Sequence, residues 1–94
     1  GGINELKITS LEPLRPLKNL KILYITGSNA TSLEPLSQMK ELRILHCSNT
    51  KITNIEPVRE LSLLEDLDFS MTEVASLDPV RELKNLKKWQ EFVR

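Results

Sequence analysis

Apolar residues recur along this chain in steps of two and three, and the whole arrangement then returns at a fixed, longer interval. Leu20, Leu42, Leu64 and Leu86 are evenly spaced with a 22-residue period, and the same period links Pro13, Pro35, Pro57 and Pro79. Seven positions of this period are apolar in every copy up to the closing segment, where Glu91 breaks the first of them, in columns that begin at Ile3, Ile8, Leu11, Leu14, Leu17, Leu20 and Leu23, and they hold 15 of the 17 leucines. Leucine is therefore assigned to columns rather than scattered, and the chain is read as a repeat array before any single element is considered. Within a copy the period changes. The Leu23-Tyr24-Ile25 alternation predicts a short strand with one side buried, and the three-residue steps Leu33, Leu36, Met39, Leu42 predict a helical or 3₁₀ turn.

The proline column marks where each turn starts. Proline has no N–H to leave unpaired at the first position of a turn, and its φ is already set. An acidic residue precedes every one of these prolines (Glu12, Glu34, Glu56, Asp78), which predicts that its carboxylate caps the exposed amides. One strand and one turn leave the apolar side of a copy open, so neighbouring copies must close it by stacking. Stacking in register makes a parallel sheet with strands about 4.8 Å apart and the turns on the opposite side. The expected fold is α/β, a right-handed solenoid with a parallel sheet on its concave face and short 3₁₀ or helical turns on the convex side. It forms one domain over 1–94, divided into a partial first repeat at 1–19, full repeats at 20–41, 42–63 and 64–85, and a closing segment at 86–94.

The copies from Leu20, Leu42 and Leu64 resemble leucine-rich repeats of the short 22-residue class, and the Pro-Leu or Pro-Val steps at 34–36, 56–58 and 78–80 are similar to the bacterial internalin repeat. The resemblance runs from Ile3 to about Trp89 and implies a horseshoe-like solenoid that binds other proteins, in a bacterial surface or secreted setting. The residues themselves do not decide the compartment. Where the family usually has an Asn bonding neighbouring loop backbones, this chain has Leu6, Ser28, Thr50 and Thr72. A hydroxyl replaces part of that bonding, with one donor instead of two, so a looser turn is expected after the strand.

The two ends depart from the repeat. The sequence opens inside a copy, which predicts solvent contact for the Ile3, Leu11, Leu14 and Leu17 layer and suggests excision from a longer array. At the other end Trp89 takes a leucine column, and the residues up to Phe92 and Val93 fit either a last strand or a short covering helix.

Charge narrows the function. The 13 basic and 13 acidic residues cancel, so no net field favours nucleic acid or an anionic membrane. No apolar run approaches the ~20 residues of a membrane span, and the opening Gly-Gly-Ile-Asn-Glu does not read as a signal peptide. A single cysteine excludes an internal disulfide and any multi-cysteine metal site. Cys47 falls in the buried column of Ile3, Ile25 and Phe69, which predicts a structural thiol.

The side chains that alternate with the buried leucines face outward from the sheet and are the candidate ligand contacts. One file runs Ile22, Ile44, Asp66, Lys88; the next Tyr24, His46, Asp68, Gln90; a third Thr26, Ser48, Ser70. Ile22, Tyr24, Ile44, His46, Asp66, Asp68 and Lys88 form the expected binding set, an apolar pair beside an aromatic and polar rim, as at protein-binding patches. Met71 either extends this patch or fills space. The competing reading is that these are strand-favouring exposed residues and nothing more. Lys21, Arg43, Glu65 and Lys87 form a charged edge file.

Three chemical readings carry less weight. Ser48, His46 and Asp68 invite a hydrolase triad, but an open sheet offers no oxyanion donors. His46 with Asp66 and Asp68 matches no recognised metal-ligand spacing. Asn29-Ala30-Thr31 fits a glycosylation acceptor, though Ala30 belongs to an inward column. The expectation is a non-enzymatic module with no cofactor that binds a protein or peptide. Its alternatives are a spacer or cap of a longer repeat protein and weak self-association through an uncapped end.

Overall fold

The computed structural model describes residues 9–90. Ile3, Leu6 and Ile8 therefore lie outside the described residues, as do Phe92 and Val93. Four strands, β1 (Ile22–Tyr24), β2 (Ile44–His46), β3 (Asp66–Asp68) and β4 (Lys88–Gln90), form one parallel sheet in chain order. The register is the 22-residue period itself: Leu23 lies opposite Leu45, Leu45 opposite Leu67 and Leu67 opposite Trp89. The closing segment thus continues as a strand through Gln90 rather than turning into a helix over those residues.

Opposite the sheet, each Pro-containing step forms one tight turn. Glu12–Leu14, Glu34–Leu36 and Glu56–Val58 are 3₁₀, and Asp78–Arg81 is a single turn of α-helix, α1. The acidic residues do not cap these turns, because each lies inside the first turn. The cap comes from two residues earlier, where the side chains of Ser10, Ser32, Asn54 and Ser76 accept the N–H of Glu12, Glu34, Glu56 and Asp78 at 3.1, 3.1, 3.0 and 3.3 Å. The freed carboxylates pair with arginines three residues on: Glu12 with Arg15 at 2.7 Å, Glu56 with Arg59 at 2.6 Å and Asp78 with Arg81 at 2.7 Å. Arg15 also reaches Glu34 in the next repeat, and Arg59 reaches Glu82 at 3.2 Å. The convex side thereby carries an ion-pair ladder along the stacking direction.

The leucine columns fill the space between sheet and turns. Leu36, Met39, Leu42, Leu45, Ile52, Ile55, Val58, Leu61, Leu64 and Leu67 are fully buried. Burying such side chains stabilises by about 1.5–3 kcal/mol each. Toward the ends the same columns open, because one neighbour is missing among the described residues. Leu17 is 47 % exposed and Trp89 43 %, whereas their column partners Met39 and Leu67 have no exposure. Leu11 departs from the expected solvent-facing first layer, being only 2 % exposed. Trp89 stacks on Phe69, with ring centroids 6.2 Å apart and planes 7° from parallel.

The Ser/Thr column bonds within the turns that follow β1, β2 and β3. Thr50 Oγ1 donates to the Cys47 carbonyl at 2.8 Å and Thr72 Oγ1 to the Phe69 carbonyl at 2.7 Å. Ser28, in the same column, accepts the Ala30 N–H at 3.4 Å. Hydrogen bonds between repeats continue past the strands, from Gly27 N to Ser48 O at 3.0 Å and from Asn49 N to Ser70 O at 2.9 Å. Among the described residues no buried side-chain polar atom lacks a partner.

Candidate functional site: the concave strand face

Alternation along each strand turns the residues flanking the buried leucine to one side of the sheet, and the register sets them in files. Ile22 pairs with Ile44, Ile44 with Asp66 and Asp66 with Lys88; Tyr24 pairs with His46, His46 with Asp68 and Asp68 with Gln90. All seven expected site residues therefore share one face. Its two halves differ. On β1, Ile22 and Tyr24 are 51 % and 55 % exposed, and Ile44 beside them is half-buried. On β3 and β4 the same positions carry Asp66, Asp68 and Lys88.

His46 joins the halves. Its ring lies 4.9 Å from that of Tyr24, tilted by 59°, an arrangement favourable to aromatic pairs. Its Nε2 lies 3.1 Å from Asp66 Oδ2, and the Lys88 ammonium is 4.0 Å from that same oxygen. The sequence places Asp68 next to His46 in its file, but the side chain reaches diagonally to Asp66 instead. Asp68 is engaged along its own strand, where Oδ1 accepts the Ser70 N–H at 3.0 Å and the Ser70 hydroxyl at 2.8 Å. Ser48, His46 and Asp68 are thus not linked as a triad. Among the described residues no three His, Cys, Asp or Glu side chains are grouped to hold a metal ion. The partner of His46 was not legible from the file order, since a strand residue also meets the diagonal neighbours of the adjacent strand.

Arg43 and Glu65 of the charged edge file form an ion pair at 2.9 Å, so part of that edge is internally satisfied. Cys47 is fully buried beneath the face. Burial, reinforced by the charge of Asp68, pushes its thiol up to about 12, far from the range of reactive thiols. Electrostatics on the convex side run the other way. The Arg15 guanidinium holds the Glu12 carboxyl below its ordinary value through their hydrogen bonds, and Arg59 does the same for Glu56. No helix among the described residues is long and apolar enough to cross a membrane.

A parallel sheet on one side, one short turn per repeat on the other and a continuous leucine spine between them define a leucine-rich-repeat solenoid. The repeats are internalin-like. The chain is similar to the crystal structure of internalin C2 from Listeria monocytogenes, with a TM-score of 0.89 and 28 % identity over 92 % of this chain and 38 % of that one. Internalin F from the same organism shares the fold at a TM-score of 0.70 and 24 % identity, over 92 % of this chain and 32 % of that one. The chain spans only about a third of the length of these internalins, 38 % of the one and 32 % of the other. No protein-family model and no curated protein matches the sequence.

Proposed function

We propose that this chain is a non-catalytic recognition module whose concave strand face binds a protein or peptide, with Ile22, Tyr24, Ile44, His46, Asp66, Asp68 and Lys88 as contacts. The observation that carries the reading is the pairing of exposed Ile22 and Tyr24 with Ile44 and His46 on a face whose backbone is fixed by a buried spine. A rigid scaffold presents these groups with little ordering left to do on contact, which is where much of the cost of association otherwise lies. Similarity to internalins, themselves leucine-rich-repeat proteins, supports the same reading.

Four strands at about 4.8 Å give a face only about 20 Å wide, small beside the roughly 800 Å² per partner of a standard interface. Such a face suits a linear peptide, or one part of a site that neighbouring repeats would complete. The experiment is panning of a random linear peptide library, displayed on phage, against the immobilised chain. Enriched peptides are expected to lose at least about tenfold in affinity when Tyr24 and His46 are both replaced by Ala, the drop expected of hot-spot contacts. Circular dichroism melting checks that the double variant keeps its fold. Enriched peptides that bind the double variant equally well would move the site off this face. An absence of any enriched sequence would favour the spacer role.

A further inference from the structure

Among the described residues three hold left-handed backbone conformations: Gly27 at φ 79°, Asn49 at φ 54° and Met71 at φ 57°. They recur at the 22-residue period, so each occupies the same position in the turn that follows a strand. Glycine adopts this region freely and asparagine tolerates it, whereas the Cβ of most other residues crowds the following carbonyl. Met71 therefore sits in a backbone state that disfavours it. The turn holds that state regardless of the side chain, because Thr72 Oγ1 ties back to the Phe69 carbonyl at 2.7 Å, just as Thr50 ties to Cys47 at 2.8 Å around Asn49.

Packing does not account for the methionine, since Met71 is 53 % exposed. It lies in the turn that follows β3, three residues after the outward Asp68. An unbranched, polarisable side chain in such a place suits adaptable apolar contact.

We infer that Met71 is a partner-contact residue of the concave face, retained against its backbone strain, and that the partner segment is an extended peptide pairing an apolar side chain with a lysine or arginine. The inference rests on the concave-face reading. Charge complementarity sets the basic residue: of the two outward carboxylates on β3, Asp66 already meets His46 and Lys88, whereas Asp68 accepts only from the neutral Ser70 just past the strand and has no basic partner among the described residues.

The test uses peptides enriched by library panning on the chain, together with Met71→Asn, which copies the residue of the preceding repeat. Enriched sequences are expected to carry both a Lys or Arg and an apolar residue. Met71→Asn is expected to raise Tm by about 2–5 °C through relief of the left-handed conformation, while weakening the enriched peptide about tenfold. Unchanged peptide affinity in Met71→Asn, or a lowered Tm, overturns the inference, as do enriched motifs that are acidic. Peptides that lose binding to Tyr24→Ala but not to Met71→Asn leave the concave-face reading standing and remove only this one. If no peptide is enriched, both fall.

Discussion

The two faces of the solenoid are built from the same 22-residue period but use it oppositely. On the convex side the columns repeat: a capping Ser or Asn, an acid, a proline, an apolar residue and, in three of four copies, an arginine. On the concave side the corresponding files change from copy to copy, Ile, Ile, Asp, Lys in one and Tyr, His, Asp, Gln in the next. Stacking requires identical neighbours wherever repeats touch, so the invariant columns are those that hold repeat to repeat. Outward positions on the sheet escape that requirement, and there chemistry is free to vary. The faces separate scaffold from surface, and the separation can be broken at either side.

The largest effect belongs to the spine. Leu45, with no exposure and a leucine of the next repeat on one side, should cost about 2–5 kcal/mol when replaced by Ala, read from urea denaturation. Cys47→Ser puts a hydroxyl in the same layer and should cost about 1–3 kcal/mol. The wild-type thiol should resist iodoacetamide in the folded chain and react fully in denaturant, since burial raises it to about 12. Raised above its unfolded value, this thiol contributes stability that is complete below about pH 8.5 and declines as pH rises toward 12. Ser32→Ala removes the cap on the Glu34 amide and should cost about 1 kcal/mol.

Concave-face changes should be milder for stability and larger for binding. Tyr24→Ala, on a side chain 55 % exposed, is expected to change stability by less than about 1 kcal/mol. The convex ladder should give the smallest stability effect, because its ion pairs face solvent and are screened. Its sign is nevertheless set. The Glu12 and Glu56 carboxyls are held below their ordinary values in the folded chain, so their contribution is present above the normal carboxylate range and is lost as pH falls through it. Comparing melts at neutral and acid pH, Arg59→Ala should show a smaller acid-induced drop in Tm than wild type, and added salt should narrow the difference.

Much of the scaffold was legible in the sequence, and the reason is physical. A strict period forces register, so Ile22 opposite Ile44 and Tyr24 opposite His46 follow from counting. The same counting put Trp89 in a leucine column but left strand and helix open; the structure pairs it with Leu67 in the sheet. What counting missed depends on side-chain reach or backbone state. The acidic column looks like a set of caps because it precedes proline, yet Ser10, Ser32, Asn54 and Ser76 are the residues placed to accept the amide. They share the 22-residue spacing, a signal that was available. His46 turned to Asp66 and not Asp68, because files describe backbone neighbours and not the diagonal. The left-handed column of Gly27, Asn49 and Met71 was hidden because its third member is a residue that seldom adopts that state.

The central claim is that aperiodic concave residues recognise the partner while periodic columns only hold them in place. Amide chemical-shift mapping with a library-selected peptide tests it most directly. The account predicts perturbations confined to residues 22–26, 44–48, 66–71 and 88–90, with the convex turns at 12–15, 34–37 and 56–59 unmoved. A footprint centred on the convex turns, with Tyr24 and His46 undisturbed, would contradict it.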